Sequence, residues 1–258
     1  AAFGPVNAIE TAVSNLAVLV TSGDVRVSNT GALTITTLGG TVGISGGDDA
    51  VVTASSPVTI ASNTSMATQF YQATESAGPG DDVTVQTGVS VTASTGSVTL
   101  LAGDDVLIQG TASITAATTF NITAASVAGG GVTMDNGSSV TANGGSGTSV
   151  ISARDAVQLS NVSAASQTLT ITSTAANITD ADGGATIDVT ATTATFSAVS
   201  GIGASGVNAS IEVSATTVNA SNSTSGGVFL NSIGGGAVTF SSIQANTAGA
   251  VELRSASN

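Results

Sequence analysis

The feature that most constrains this sequence is a short motif that returns about every 24 residues, a turn residue followed by a largely apolar triplet. The first intervals between successive motifs are 25, 33, 23, 26 and 24 residues. The residues that precede the triplets are Asp24, Asp49, Asp82, Asp105, Gly131, Asp155, Gly227 and Ala250. A repeat of this length is typical of solenoids, in which each unit contacts only its neighbours.

Two more short segments follow the triplet within one period. Residues 33–35 and 42–44 follow the first triplet, and residues 89–91 and 98–100 follow the third. Each alternates apolar, polar, apolar, which is the pattern of a half-buried strand. Three such strands cannot bury their apolar side chains alone, but stacked coils can. The sequence therefore predicts an all-β fold, a right-handed parallel β-helix of about ten coils of roughly 24 residues.

Residues 1–258 are predicted to form a single solenoid segment. The stretch 61–79 exceeds the repeat by roughly ten residues and is predicted to be a loop insertion that carries Phe70 and Tyr71. Residues 7–20 form an irregular first coil or, as the alternative, a short helical cap, because Asn7 and Glu10 resemble a capping box. A β-sandwich also needs many short strands, but it does not predict a phase that returns every 24 residues or so.

Residues 250–258 have the pattern of the first strand of a coil whose apolar side would be exposed. An unpaired sheet edge at the end of a solenoid invites pairing with another chain. We therefore expect this segment to continue into further coils of a longer array, or to associate end to end with a second copy.

The charge balance excludes several classes of partner. The chain has sixteen acidic residues, no Lys, no His, no Cys and a net charge of -13. Its only basic residues are Arg26, Arg154 and Arg254. Nucleic acid is not expected as a partner because phosphate contacts need clustered basic side chains. No apolar run reaches the 18 or so residues that span a bilayer, so membrane insertion is not expected either.

Pairs of adjacent aspartates are the sharpest chemical feature of the sequence. They are Asp48 with Asp49, Asp81 with Asp82, and Asp104 with Asp105. If their coils superpose, these pairs stack in one column, where a Ca²⁺ ion could relieve the repulsion between them. The alternative is that each pair only forms a turn, since Asp bonds its own backbone and tolerates left-handed geometry. The sequence predicts no other cofactor.

Hydroxyl side chains recur at the outward positions of the predicted strands. Thr34, Thr59, Ser90, Thr141 and Ser163 are predicted to share one face, and Thr99, Thr170 and Thr239 another. Regular polar faces of this kind can bind glycans or order water as ice-binding surfaces do. Thr is also the polar residue that a strand accommodates best, so a purely structural ladder is the simpler interpretation.

Catalysis finds little support in the composition. Without His, Cys or Lys the chain lacks the usual general bases and nucleophiles near neutral pH. Carboxylate pairs could still serve a glycosidase, so a carbohydrate-active enzyme is kept as the least favoured alternative. The expectation is that the chain is not an enzyme.

The segment 12–40, "AVSNLAVLVTSGDVRVSNTGALTITTLGG", resembles the repeats of the filamentous-haemagglutinin-like family of large secreted bacterial adhesins. The resemblance is carried by Leu16, Thr21, Gly23, Asp24, Val25, Val27, Asn29, Thr30, Gly31, Leu33, Thr34 and Ile35. Similar phrases recur to about residue 108 and more loosely beyond it. The sequence contains neither the secretion-domain signature that this family carries near its start nor a recognised adhesion motif.

This resemblance implies an exported protein of the bacterial cell surface or of an extracellular filament. It implies work in adhesion or matrix building rather than catalysis, with a host cell, a neighbouring cell or a glycan as the partner. A glycan- or ice-binding module that uses the Ser/Thr faces is the alternative function.

Overall fold

The computed structural model describes residues 7–74, 78–125, 129–184, 186–206, 208–234, 236–246 and 248–255. Throughout these ranges the regular structure is β-strand, with no α-helix. The predicted all-β class is confirmed. Because the described residues include no helix, they include none that is long and apolar enough to cross a membrane.

The strands are short and follow one another closely. In chain order the first fifteen are β1 (Ile9–Thr11), β2 (Asn15–Leu16), β3 (Val18–Leu19), β4 (Val25–Asn29), β5 (Leu33–Ile35), β6 (Thr37–Leu38), β7 (Thr41–Val42), β8 (Ile44–Ser45), β9 (Asp49–Ala54), β10 (Val58–Ile60), β11 (Thr64–Met66), β12 (Thr68–Ala73), β13 (Val83–Val85), β14 (Ser90–Ala93) and β15 (Val98–Ala102). They are followed by β16 (Val106–Ile108), β17 (Ser113–Ala116), β18 (Phe120–Ala124), β19 (Val132–Met134), β20 (Ser139–Ala142), β21 (Thr148–Ala153), β22 (Val157–Leu159), β23 (Asn161–Ser173), β24 (Ile178–Asp180), β25 (Val189–Ala198), β26 (Ile211–Asn222), β27 (Val228–Ser232), β28 (Thr239–Gln244) and β29 (Val251–Ser255).

Parallel pairing between successive coils arranges most of these strands on three faces. The first face is an eight-stranded sheet in the order β2, β5, β10, β13, β16, β19, β22, β24. The second face contains β8, β11, β14, β17, β20 and the first halves of β23, β25 and β26. The third contains β4, β9, β12, β15, β18, β21 and the second halves of the same long strands. The result is a β-solenoid of about 10 turns, roughly 24 residues apart, as predicted.

Apolar side chains at the inward positions form ladders that run through the solenoid. On the first face Ile35, Ile60, Val85, Ile108 and Met134 stack in register, and each is fully buried. The residues between them in each strand point outward and are half-buried. Strand sequences of three residues suffice here because adjacent coils lie only about 4.8 Å apart and exclude water from one another.

The first coil is irregular and not helical. Instead of a helical cap, β1, β2 and β3 occupy this region, and β1 pairs in parallel with β4. The helical alternative is wrong because the backbone groups of residues 9–11 bond to the next coil, while Ile9 stays 68% exposed. The capping residue Asn7 has a left-handed backbone, with a φ of 65°.

The predicted loop insertion at 61–79 is wrong for most of its length. Residues 64–66 and 68–73 form β11 and β12, which pair with the coils on both sides. Tyr71 is fully buried, and its hydroxyl is satisfied inside the solenoid because it donates to Oε1 of Gln69 at 2.6 Å. The surplus residues lie instead in the connection between β12 and β13, residues 74–82. The corresponding connection in the next coil, between β15 and β16, consists of residues 103–105 alone. Residues 75–77 lie outside the described part of the chain.

Three excursions leave the solenoid between the first and second faces. The first is the antiparallel hairpin of β6 and β7. The others are the connection 181–188, of which all but residue 185 is described, and the segment 203–210, described except for residue 207. These two excursions belong to successive coils, and a Cβ added to Gly183 would lie 3.5 Å from the carbonyl oxygen of Asn208.

Candidate functional site

The predicted single column of aspartate pairs is wrong, because the pairs occupy two different corners. Asp48 precedes and Asp49 begins β9 of the third face, whereas Asp82 and Asp105 precede strands of the first face. The chain reaches both corners through the same glycine-aspartate phrase, so their sequences look alike. Asp81 and Asp104 accompany their partners at the second of these corners, where the backbone N–H of Asp104 donates to the carbonyl oxygen of Asp81.

Several of these carboxylates accept hydrogen bonds from the backbone of a neighbouring coil. The N–H of Asp105 donates to Oδ1 of Asp82 at 3.0 Å, and the N–H of Gly131 donates to Oδ1 of Asp105 at 2.7 Å. Oδ2 of Asp104 accepts from the N–H of Gly80 at 2.6 Å. These contacts favour the turn interpretation, in which Asp satisfies backbone donors at the corners. Calcium at the aspartate pairs stays a prediction.

Another set of carboxylates meets at one point. Among the described residues, one group of three acids could share a metal ion: Asp180, Asp182 and Asp188. Each offers a carboxylate oxygen, and these oxygens all lie within 4.8 Å of one another. Asp180 ends the first-face strand β24, and Asp188 immediately precedes the second-face strand β25. The excursion between the two strands therefore folds back on itself and brings its two ends together.

Hydrogen bonds within the excursion fix the orientation of these acids. The N–H of Asp182 donates to Oδ1 of Asp180 at 2.7 Å, and the N–H of Gly184 donates to Oδ1 of Asp182 at 2.7 Å. The hydroxyl of Thr186 donates to Oδ2 of Asp182. Both backbone contacts join residues two positions apart, as in the turns that Asp forms with its own backbone.

The next coil adds a fourth carboxylate. Glu212 lies in β26, and its N–H donates to Oδ2 of Asp188 at 2.8 Å. Its own Oε1 accepts from the hydroxyl of Ser210 at 2.9 Å and from Nδ2 of Asn231 at 3.3 Å. Asp188 and Glu212 are both 0% exposed. This arrangement could provide a site for a hard cation, with oxygen ligands from two successive coils.

The electrostatics of this cluster are unfavourable for its charged form. Burial, reinforced by the neighbouring carboxylates of Asp180 and Glu212, raises the pKa of Asp188 to about 9. Burial likewise raises the pKa of Asp180 and that of Glu212 above their ordinary values. Four acids in one partly buried place therefore need a compensating positive charge or protons.

The sequence interpretation missed this cluster. It singled out adjacent acid pairs, whereas the cluster comes from the phrase "DADGGATID", residues 180–188, in which the acids stand at the first, third and ninth positions. Acids spaced by two residues before glycine are the type of signal that oxygen-ligand loops give. The contribution of Glu212 could be found only from the coil register, since it follows Asp188 by one period of 24 residues.

The outward hydroxyl residues are distributed differently from the prediction. Thr34 and Thr59 lie on the first face, whereas Ser90, Thr141 and Ser163 lie on the second. Thr99 and Thr170 share the third face as predicted, and Thr239 follows in β28. The second face carries an unbroken column of hydroxyl side chains in register: Ser45, Ser65, Thr92, Thr115, Thr141, Ser163, Thr190 and Ser214.

Comparisons of this chain with models of protein families, with curated proteins and with solved structures find no match. The resemblance to filamentous-haemagglutinin-like repeats therefore stays a prediction from the sequence.

Proposed function

We propose that this chain is a structural or adhesive segment of a secreted protein of the bacterial cell surface or of an extracellular filament. The observation that carries the proposal is the uninterrupted register of the first face. Seven outward positions of successive coils pair one with the next, from Thr34 to Thr179. About ten coils at about 4.8 Å make a rod of roughly 48 Å. Such a rod works by geometry, because it holds its two ends apart.

The turn within the resemblance motif supports the same proposal. Asn29, which the motif shares with the adhesin repeats, is only 3% exposed. Its side-chain amide donates to the carbonyl oxygens of Val13 and Gly31, each at 3.1 Å. The motif residue thus fastens one corner of the solenoid to the coil before it.

The outermost described coils supply candidate surfaces for further stacking. Val251 and Leu253 in the last strand are 50% and 39% exposed, and Ile9 in the first coil is 68% exposed. Neighbouring coils of a longer array, or a second copy of this segment, would bury these side chains. We therefore propose assembly along the solenoid axis.

Assembly can be tested by sedimentation velocity and negative-stain imaging over a range of protein concentrations. We expect rods that lengthen with concentration, because the apolar side chains at the two ends bury each other. The double variant Val251→Asp with Leu253→Asp should give single rods only. Val42→Asp is the matched control, since Val42 is 48% exposed but lies on the side hairpin. Compact particles that do not elongate would contradict the rod.

Adhesion can be tested by the binding of labelled protein to cultured host cells and to other bacteria. We expect saturable binding that survives the double variant, because a side face and not an end would contact the cell. The absence of binding to either kind of cell would leave the structural role and remove the adhesive one.

The hydroxyl column of the second face favours one alternative, a glycan- or ice-binding module. The column continues into a groove of about 210 Å³, whose lining includes Thr190, Ser214 and Ser232. Hydroxyls spaced by one coil could bond a polymer or ordered water that repeats along the rod. The test is a glycan panel together with an ice-recrystallisation assay. Thr115→Val should weaken either activity, and Thr99→Val on the third face should leave it unchanged.

A further inference from the structure

We propose that Asp180, Asp182, Asp188 and Glu212 bind one divalent cation, calcium in preference to magnesium, and that this ion ties two successive coils together. The site is new relative to the aspartate pairs that the sequence suggested, and it does not depend on the proposed scaffold function.

Buried oxygen atoms that lack hydrogen-bond donors point to a ligand. Oδ1 of Asp188, Oε2 of Glu212 and Oδ2 of Asp180 are buried and accept no hydrogen bond from any group in the described ranges. Asp188 and Glu212 are 0% exposed, so water does not reach their side chains from the surface. A buried acceptor without a partner is costly, and several at one place are rare in native proteins. A cation at this place would satisfy the oxygens of Asp180 and Asp188, and the carboxylate of Glu212, beside that of Asp188, would turn toward the same ion.

The chain offers these acids no positive charge of its own. It contains three basic residues and no His. Arg26 contacts Asp24 at 2.8 Å, Arg154 lies 3.8 Å from Asp155, and Arg254 contacts Glu252. All three guanidinium groups thus lie against acids outside the cluster. The positive charge must come from protons or from a bound ion.

The type and arrangement of the ligand atoms favour calcium. The three carboxylate oxygens of Asp180, Asp182 and Asp188 lie within 4.8 Å of one another, close enough to share one ion. Calcium accepts six to eight oxygens in a flexible geometry, whereas magnesium demands a near-ideal octahedron and keeps several of its waters. Acids that come from a turn and from two coils form an irregular set, which suits calcium better. All available side-chain ligands are oxygens, which excludes the soft thiolate and imidazole chemistry of zinc sites.

The ion would act where the pairing of the first face is reduced to single residue pairs. After β24 this face continues through isolated bridges from Ile178 to Ile202 and from Ile202 to Val228. The two excursions 181–188 and 203–210 interrupt the regular coil at this place. A cation held by Asp180 and Asp188 in one coil and by Glu212 in the next would replace part of the lost pairing. Calcium therefore should stabilise the later coils.

The test is isothermal titration calorimetry of the full chain after removal of metals with EDTA, together with thermal unfolding in calcium and in magnesium. We expect one calcium ion per chain, weaker magnesium binding, and an unfolding temperature that rises with calcium concentration. Asp188→Asn and Glu212→Gln should each lose at least about 10- to 100-fold in calcium affinity, since even indirect partners of metal ligands cost that much. Asp105→Asn, at the other acidic corner, is the matched control and should bind as the unchanged chain does.

Asp188→Asn should fold, because the amide keeps an acceptor for the N–H of Glu212 and removes a buried charge. If calcium neither binds nor raises the unfolding temperature of the unchanged chain, the cluster is neutralised by protons and the proposal is wrong. It is equally wrong if Asp105→Asn abolishes binding while Asp188→Asn and Glu212→Gln retain it, because the ion then lies at the aspartate pairs. Equal affinity for magnesium would overturn the preference for calcium.

Discussion

Asp188 and Glu212 are joined by two hydrogen bonds across two successive coils. The N–H of Glu212 donates to Oδ2 of Asp188 at 2.8 Å, and the N–H of Asp188 donates to the carbonyl oxygen of Glu212 at 3.0 Å. Coil stacking therefore holds two buried carboxylates together although their charges repel. A fold that accepts this cost at one place, while corner acids such as Asp82 and Asp105 accept hydrogen bonds from backbone N–H groups, concentrates its distinctive chemistry there.

Removal of a core side chain should test the interior ladder. Ile114 in β17 is fully buried, and Thr115 beside it faces outward. We expect Ile114→Ala to lower the free energy of unfolding by about 2–5 kcal/mol, because the narrow core cannot collapse around the lost volume. Thr115→Ala should cost less than about 1 kcal/mol. Urea unfolding followed by circular dichroism measures both, and similar losses for the two variants would contradict the assigned faces.

Close packing of backbones should make one glycine irreplaceable. Gly43 has a φ of +55°, and a Cβ added there would lie 2.0 Å from the carbonyl oxygen of Asn63. Gly23 also has a positive φ, +82°, but no atom lies within 4 Å of an added Cβ. Gly23→Ala should therefore lower the free energy of unfolding only by the roughly 1–2 kcal/mol that a left-handed backbone costs. Gly43→Ala should lower it by clearly more, because the added methyl group also clashes with the next coil. Equal unfolding temperatures for the two variants would show that these coils are farther apart.

The acidic corner of Asp82 should make stability depend on pH. Burial, with a smaller contribution from Asp105, Asp104 and Asp81, raises the pKa of Asp82 above 3.8. A raised folded pKa means that stability is greatest below about 3.8 and is lost as pH rises through the folded pKa. In calcium-free buffer Asp82→Asn should thus unfold at a higher temperature than the unchanged chain at pH 7, with no difference near pH 3. A lower unfolding temperature for Asp82→Asn at pH 7 would contradict the prediction, because it would mean that the charged carboxylate stabilises the fold.

Tyr71 provides a spectroscopic probe of the interior, because the chain has one Tyr and no Trp. Burial raises the pKa of its phenol well above the usual value of about 10. We expect no phenolate absorbance near pH 10 while the β-type circular dichroism persists. Stability should fall above about pH 10, since only the unfolded chain ionises there. In urea the phenol should titrate at about 10. Phenolate that forms near pH 10 in the folded chain would place Tyr71 at the surface.

The solenoid could be predicted from the sequence because coil stacking requires a period, and the period is visible. Which face a triplet belongs to could not be predicted. All three faces use the same apolar-polar-apolar triplet, and the first and third faces also share the glycine-aspartate turn, so Asp49 and Asp82 carry the same local signal on different faces. The anomalous interval of 33 residues between them results from this change of face.

The sequence misplaced the loop insertion and did not reveal the acidic cluster, for a related reason. Polar side chains such as Gln69 enter the interior here because neighbouring side chains satisfy them: Oε1 of Gln69 accepts from the hydroxyls of Thr64 and Tyr71. A strand that contains such polar side chains therefore looks like a surface segment by its hydropathy, although it lies in the core. The meeting of Asp188 with Glu212 depends on the register of two coils, which the spacing of residues gives only after the excursions are located.

The rod itself is tested most directly by distances between pairs of spin labels, measured by pulsed electron paramagnetic resonance. The chain lacks Cys, so labels can be placed at single positions of the first-face ladder. Thr34 paired with Thr133, Gln158 and Thr179 spans four, five and six register steps. The account predicts narrow distributions whose means grow by about 4.8 Å with each step. Means that do not increase from one pair to the next would contradict the rod and the function that rests on it.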